Sequence, residues 1–339
     1  MVITLSILPI FFIIVVGLFF RKIDFPNADF WSGAEKMTYY IFFPALLIYK
    51  MSSAEIGGIN LSSLAFSLMT TLLLMTAFMI VVHKIYHRYK KRTIQQESRK
   101  KVELEITLGS GSEIKTSTTA FTSVFQGGIR FNTYIGLAIV STLYGSEGLV
   151  VAVVIAAIMI PLINVLCVTV LEVYHSADNV VDSRYRRLGT AIVTNPLIVA
   201  CVLGIAINLL AIPIPFVVNQ VLHLFSQVAL PLGLLTVGAA LNLRGFGSAV
   251  MPVTMACLSK FVLLPVVAMG CAYAFGLSEL EQGVLLVLSL LPTATASYVL
   301  AKQLGGDAQL MATIITLQTL LSALWIPLAL SVFGVSDLV

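Results

Sequence analysis

Long apolar stretches alternate with short polar ones along nearly the whole chain. Windows of about the 20 residues that a helix needs to cross a bilayer predict helices at 3–20, 35–50, 61–82, 118–143, 149–171, 189–210, 216–241, 249–274, 282–302 and 308–333. Two of these ten are interrupted. Gln126 to Gly136 reads QGGIRFNTYIG inside the fourth, and Pro292 to Ser297 reads PTATAS inside the ninth. An unpaired backbone amide costs several kcal/mol in hydrocarbon, so such segments persist at membrane depth only where they line protein or water. Both are read as broken helices facing a cavity. Paired interruptions in corresponding halves point to a carrier's binding site.

Composition turns apolar helices into membrane helices. Of the 339 residues 58% are apolar and 11% charged, with a mean hydropathy of +0.99, where ordinary soluble domains carry roughly 25% charge. The net charge of +4 is then a matter of topology and implies no nucleic acid. With the N-terminus outside, the inner loops hold Arg21, Lys22, Lys36, nine basic residues from Lys84 to Lys115, Arg184, Arg186, Arg187, Arg244 and Lys302, leaving Lys50 outside. This satisfies the positive-inside rule and places the chain in the cell membrane with both termini extracytoplasmic. The run from Ile3 to Phe20 has its basic residues after it and is too long for a signal core, so it is expected to stay as a first span. The segment 84–117 reads as a solvated cytoplasmic loop, with binding to anionic headgroups as its alternative.

The chain also repeats itself. Pro9, Gly17 and Pro44 recur as Pro196, Gly204 and Pro231, each 187 residues later; past the long loop Leu143-Tyr144-Gly145 and Leu149 recur as Leu304-Gly305-Gly306 and Leu310 at an offset of 161. Each unit holds five spans. An odd number makes the second copy enter from the opposite side, which defines an inverted repeat. The fold expected is all-α and polytopic: ten helices in two inverted repeats, 1–172 (with the loop) and 189–333, whose broken helices 4 and 9 cross.

Chemistry-bearing residues are few. No span interior contains Asp or Glu, whereas Arg130 and Lys260 lie near mid-span, where insertion scales charge about 2.5–3.5 kcal/mol. Two buried cations without a buried acid suit an anionic solute, aided by the positive N-terminal end of a half-helix. The competing reading has each cation bonding carbonyls freed at the breaks, or snorkelling. Asn132, Thr133 and Tyr134 supply polar groups at the first break; Thr293, Thr295 and Ser297, behind Pro292, supply them at the second. Those hydroxyls could instead bond their own preceding turn. Cys167, Cys201, Cys257 and Cys271 sit in apolar runs without metal or disulfide spacing. The histidines form no cluster, and no protease, P-loop or nucleophile-elbow motif occurs. No cofactor, no metal and no enzymatic activity are expected.

These residues resemble the auxin efflux carrier family in its shorter prokaryotic form. The likeness runs through ILPIFFIIVVG, FFPALLIY, FNTYIGLAIVSTLYG, TNPLIVACVLGIAIN, ALPLGLLTVGAAL, LSKFVLLP and LPTATASYVLAKQLGGDAQL, nearly the whole chain. It implies a scaffold of helices 1, 2, 6 and 7, a moving group of helices 3–5 and 8–10, and elevator-like carriage of small organic anions. It also implies that Asn132 is the family's asparagine at the first crossover and that Lys260 stands where relatives place a basic residue. Ala138 and Ser297 occupy the plant members' crossover-proline positions, so the resemblance does not fix the breakpoints. The long central loop of many plant members is missing. A sodium- or proton-coupled antiporter and a non-transporting membrane receptor remain as alternatives, and a homodimer through the scaffold helices stays open.

Overall fold

The computed structural model describes residues 2–54, 60–101, 112–175, 196–242 and 250–333, and among them every regular element is a helix. In chain order they are α1 (Val2–Lys22), α2 (Ala28–Met37), α3 (Phe43–Ser52), α4 (Leu61–Lys101), α5 (Ser112–Ile129), α6 (Thr133–His175), α7 (Pro196–Leu209), α8 (Phe216–Ala240), α9 (Val250–Leu258), α10 (Leu264–Ala274), α11 (Glu279–Ser289), α12 (Ala296–Gln303) and α13 (Ala308–Val332). Outward-facing residues are as apolar as buried ones: Leu8, Phe12, Val15 and Phe19 on α1, Leu73, Phe78 and Val81 on α4, and Leu324 and Leu328 on α13 are all exposed. Helices that are hydrophobic all round belong in a membrane. Six described segments are long and apolar enough to cross one.

One of the six, 119–171, is 53 residues long, far more than one crossing needs. It is broken at 130–132 and bent at Gly145, whose backbone (φ 61, ψ −147) lies where only glycine sits at ease. The bend is a reversal. A straight α6 would put residue 164 about 45 Å from its start at 1.5 Å per residue, yet Arg130 bonds Asn164.

Two further irregularities have proline as their cause. α2 joins α3 through a π turn at Thr38–Phe42 ahead of Pro44, and α9 joins α10 through another at Ser259–Leu263 ahead of Pro265. Proline lacks the N–H that would bond four residues back, and an inserted residue lets the ladder resume. At the second turn the orphaned carbonyl is that of Phe261, and the Trp325 indole N–H from α13 supplies its donor at 3.0 Å.

Glycine sets the closest packing. α1 lies along α8, and α3 packs against α7 and α8. A Cβ on Gly17 would collide with the Leu235 carbonyl, one on Gly238 with the Ile14 carbonyl, and one on Gly204 would stand 2.7 Å from Met51 Cβ and 3.2 Å from Ile48 Cα. Small residues that bring backbones together are the usual way to hold helices where water cannot drive association.

The expected loop at 84–117 needs correction. α4 continues as helix to Lys101 and α5 begins at Ser112. The polar run HKIYHRYKKRTIQQESRKK contains neither Gly nor Pro and is rich in good helix formers, so polarity marks the membrane edge there and leaves the helix intact. Residues 102–111, and the loops carrying Arg184, Arg186, Arg187 and Arg244, lie outside the described residues.

Candidate functional site

The two interrupted helices meet. α5 stops at Ile129 and α6 starts at Thr133; α11 stops at Ser289 and α12 starts at Ala296. The breaks are thus Arg130–Asn132 and 290–295, shorter than the polar strings around them, and Ala138 and Ser297 lie inside helices. They touch directly: Asn132 N–H donates to Pro292 O at 2.8 Å. A break orphans backbone groups that must find partners in the absence of water. The Gly127 carbonyl accepts from Thr293 Oγ1 (2.9 Å) and from Gln318 Nε2 (3.0 Å), while Thr293 N–H donates to Gln318 Oε1 (3.0 Å). Thr293 and Gln318 are fully buried.

Asn132, 2% exposed, is the N-cap of α6: its Oδ1 accepts from the N–H groups of Tyr134 (3.1 Å) and Ile135 (3.2 Å). This accounts for an asparagine at the position and leaves the amide nitrogen as the group it can offer a solute. Thr133 is half-buried beside a cavity of only about 10 Å3 that also touches Phe43 and Leu137. Tyr134 turns toward α3 and α8, its ring edge-on to Phe43 at 4.5 Å and against Gly233, with Glu35 and Tyr39 near enough to act on its hydroxyl electrostatically. Thr295 precedes α12 without a side-chain capping bond, and Ser297 Oγ is buried with no partner.

The two cations differ in burial. Arg130 is half-buried and donates from Nη1 to Asn164 Oδ1 at 3.0 Å on the returning arm of α6, beside Cys167, while its Nε is buried without a partner. Lys260 is fully buried in the π turn between α9 and α10, its Nζ without a hydrogen-bond partner among the described residues and 5.9 Å from the centre of the Phe131 ring, within the first break. Cation–π attraction returns only part of what burying an ammonium costs. Among the described residues the one ion pair is Arg21 with Asp24, far in sequence from both. Arg130 and Phe131, the ring beside Lys260, both belong to the first break, and among the described residues neither cation has an acidic counterpart in contact. No group of His, Cys, Asp or Glu among the described residues could hold a metal.

The sequence of residues 113–330 matches the profile of the membrane transport protein family. The chain belongs to that family, the auxin efflux carriers. An uncharacterized transporter of Methanothermobacter thermautotrophicus is 27% identical over 195 residues, a match covering 58% of this chain and 62% of that relative. A groove of about 420 Å3 between α9, the π turn at Ser259–Leu263 and α13, lined by residues such as Leu258, Phe261, Leu321 and Trp325, has no charged residue in its lining.

Several site residues were not singled out in the sequence. Gln318, Asn164 and Tyr39 each lie in apolar windows where a lone amide or phenol is unremarkable, and Gln126 was read only as the start of the first interruption. Gln126 is fully buried with both amide atoms unpartnered. A lone Gln in the middle of an apolar α13 was the available signal, since a buried amide needs partners.

Proposed function

We propose that this member of the auxin efflux carrier family is a secondary carrier for a small organic anion, working by elevator-like alternating access. The observation that carries the reading is the crossing of two broken helices beside Arg130 and Lys260, cations that among the described residues meet Asn164, Cys167, Tyr39 and Phe131 and no carboxylate within ion-pair distance. An anionic carboxylate would complete both charges and face the positive ends of α6 and α12. Asn132 Nδ2, Thr133, Thr295 and Ser297 add hydrogen bonds. Thr293 and Pro292 fix the geometry, and Tyr134 meets Phe43 as the contact that must part to admit the solute.

Close packing supports ten helices in inverted repeats. Gly17 meets Leu235 and Gly204 meets Ile48; both Gly17 with Gly204 and Ile48 with Leu235 are separated by 187 residues. The first break, moved by 161 residues, falls on 291–293, within the second. In this reading α1, α2–α3, α7 and α8 form the scaffold, the rest moves past it, and the chain lies in the cell membrane with both termini outside.

Thermal stabilisation of the purified protein by succinate, malate, acetate and indole-3-acetate tests the site. At least one acid raises the melting temperature of the wild type, and Arg130→Ala and Asn132→Ala each abolish the rise while still folding. Unchanged binding in both variants removes the assignment. Uptake of the same acid into sealed proteoliposomes then separates a carrier from a receptor.

A further inference from the structure

We infer that Gln318 is a positioning residue that fastens the two breaks into one body, so that the crossover moves and binds as a unit. The inference rests on the carrier reading for its purpose but not for its geometry. Gln318 belongs to neither broken helix. It projects from α13, fully buried, and its two amide atoms serve different breaks: Nε2 donates to Gly127 O in the last turn before the first, and Oε1 accepts from Thr293 N–H within the second. The Thr293 hydroxyl stands 2.7 Å from the same Oε1 and 2.9 Å from Gly127 O, so its single proton joins either to the pair.

Both backbone groups are orphans of the breaks. Residue 131 would normally donate to Gly127 O, and Thr293 N–H would normally bond inside a continuous helix; neither bond exists once the helices are interrupted. Without water, partners have to come from elsewhere in the protein, and Gln318 brings one to each break from a third element. Only a side chain that donates and accepts at once satisfies both, which an amide does and a carboxylate, methionine or leucine does not. The Cys257 thiol of α9, on the segment that leads to Lys260, lies beside Gln318.

Hydrogen exchange measured by mass spectrometry on the full-length protein in detergent tests this. In Gln318→Met the Thr293 amide loses its acceptor directly. The Asn132 amide bonds Pro292 O and does not touch Gln318, so it reports coupling. If the two breaks are one body, peptides covering Asn132 and Thr293 both exchange faster, on the order of tenfold, the factor one buried hydrogen bond supplies. Acceleration at Thr293 alone overturns the proposal. Should Gln318→Met fail to fold, Gln318→Glu answers the same question, because a protonated carboxyl donates to Gly127 O and accepts from Thr293 as the amide does. The carboxyl clamps only while it is protonated, so both amides are protected as in wild type where it is protonated and both exchange faster where it is ionised, each variant being compared with wild type at equal pH. Acceleration at Thr293 alone in the ionised variant overturns the clamp. Failure of every acid to bind the wild type, with both amides still coupled, removes the carrier reading and leaves the clamp standing.

Discussion

Asn132 has a structural task and a proposed chemical one on different atoms, and substitutions separate them. Its Oδ1 caps α6, a bond whose loss to alanine costs about 1 kcal/mol. Asn132→Asp keeps the capping oxygen and replaces the amide nitrogen with negative charge. We expect Asn132→Asp to melt close to wild type while losing stabilisation by carboxylates, and Asn132→Ala to lose both. An aspartate variant that still binds acids would take the amide nitrogen out of the site. Arg130 and Lys260 divide differently: Arg130 keeps a bond to Asn164, so it holds a fixed direction, whereas among the described residues Lys260 Nζ meets the Phe131 ring and has no hydrogen-bond partner.

At the scale of elements, proline decides where Lys260 sits. Pro265 deprives Phe261 O of its helical donor, the π turn takes up the extra residue, and Trp325 closes the account from α13. Trp325→Phe leaves that carbonyl buried and unpaired, at a cost of about 1–3 kcal/mol. Pro265→Ala restores a backbone N–H nearby, so the double variant should be less destabilised than the sum of the singles, a non-additivity that a double-mutant cycle in thermal or denaturant unfolding reads out. Strict additivity would mean that Trp325 contributes packing only. α4 makes a related point. Its 41 residues span about 60 Å at 1.5 Å per residue, roughly twice the hydrocarbon thickness, so a helix that begins in the membrane ends well outside it.

Across the whole molecule, the contact of α1 with α8 and of α3 with α7 depends on the absence of side chains. Gly17→Ala puts a Cβ into the Leu235 carbonyl, whereas Gly33 in α2 has nothing within 4 Å of an added Cβ. Gly33→Ala should hold or raise the melting temperature, since alanine is the better helix former by about 1 kcal/mol, and Gly17→Ala should lower it by several degrees and reduce the folded yield. Equal behaviour of the two would show that the α1–α8 contact relaxes without cost. The same contacts hold the helices that the carrier reading assigns to the fixed part, so a Gly17 variant that folds should also slow transport in proteoliposomes.

The apolar windows, the two polar interruptions and the two mid-span cations were legible in the chain because a membrane permits few solutions: each crossing needs about 20 apolar residues and each departure from them is costly, so it stands out. Recurrence of Gly and Pro at fixed offsets marked positions where backbones approach or bend. Helix through Lys101 was missed because polarity reports the end of the membrane and says nothing of the end of a helix. Only the tertiary structure decided how orphaned backbone groups were satisfied. Partners such as Gln318 for Gly127 and Thr293, Trp325 for Phe261 and Asn164 for Arg130 come from segments 25 to 191 residues away, and hydrogen bonds of that kind follow from where helices lie in space, not from spacing along the chain.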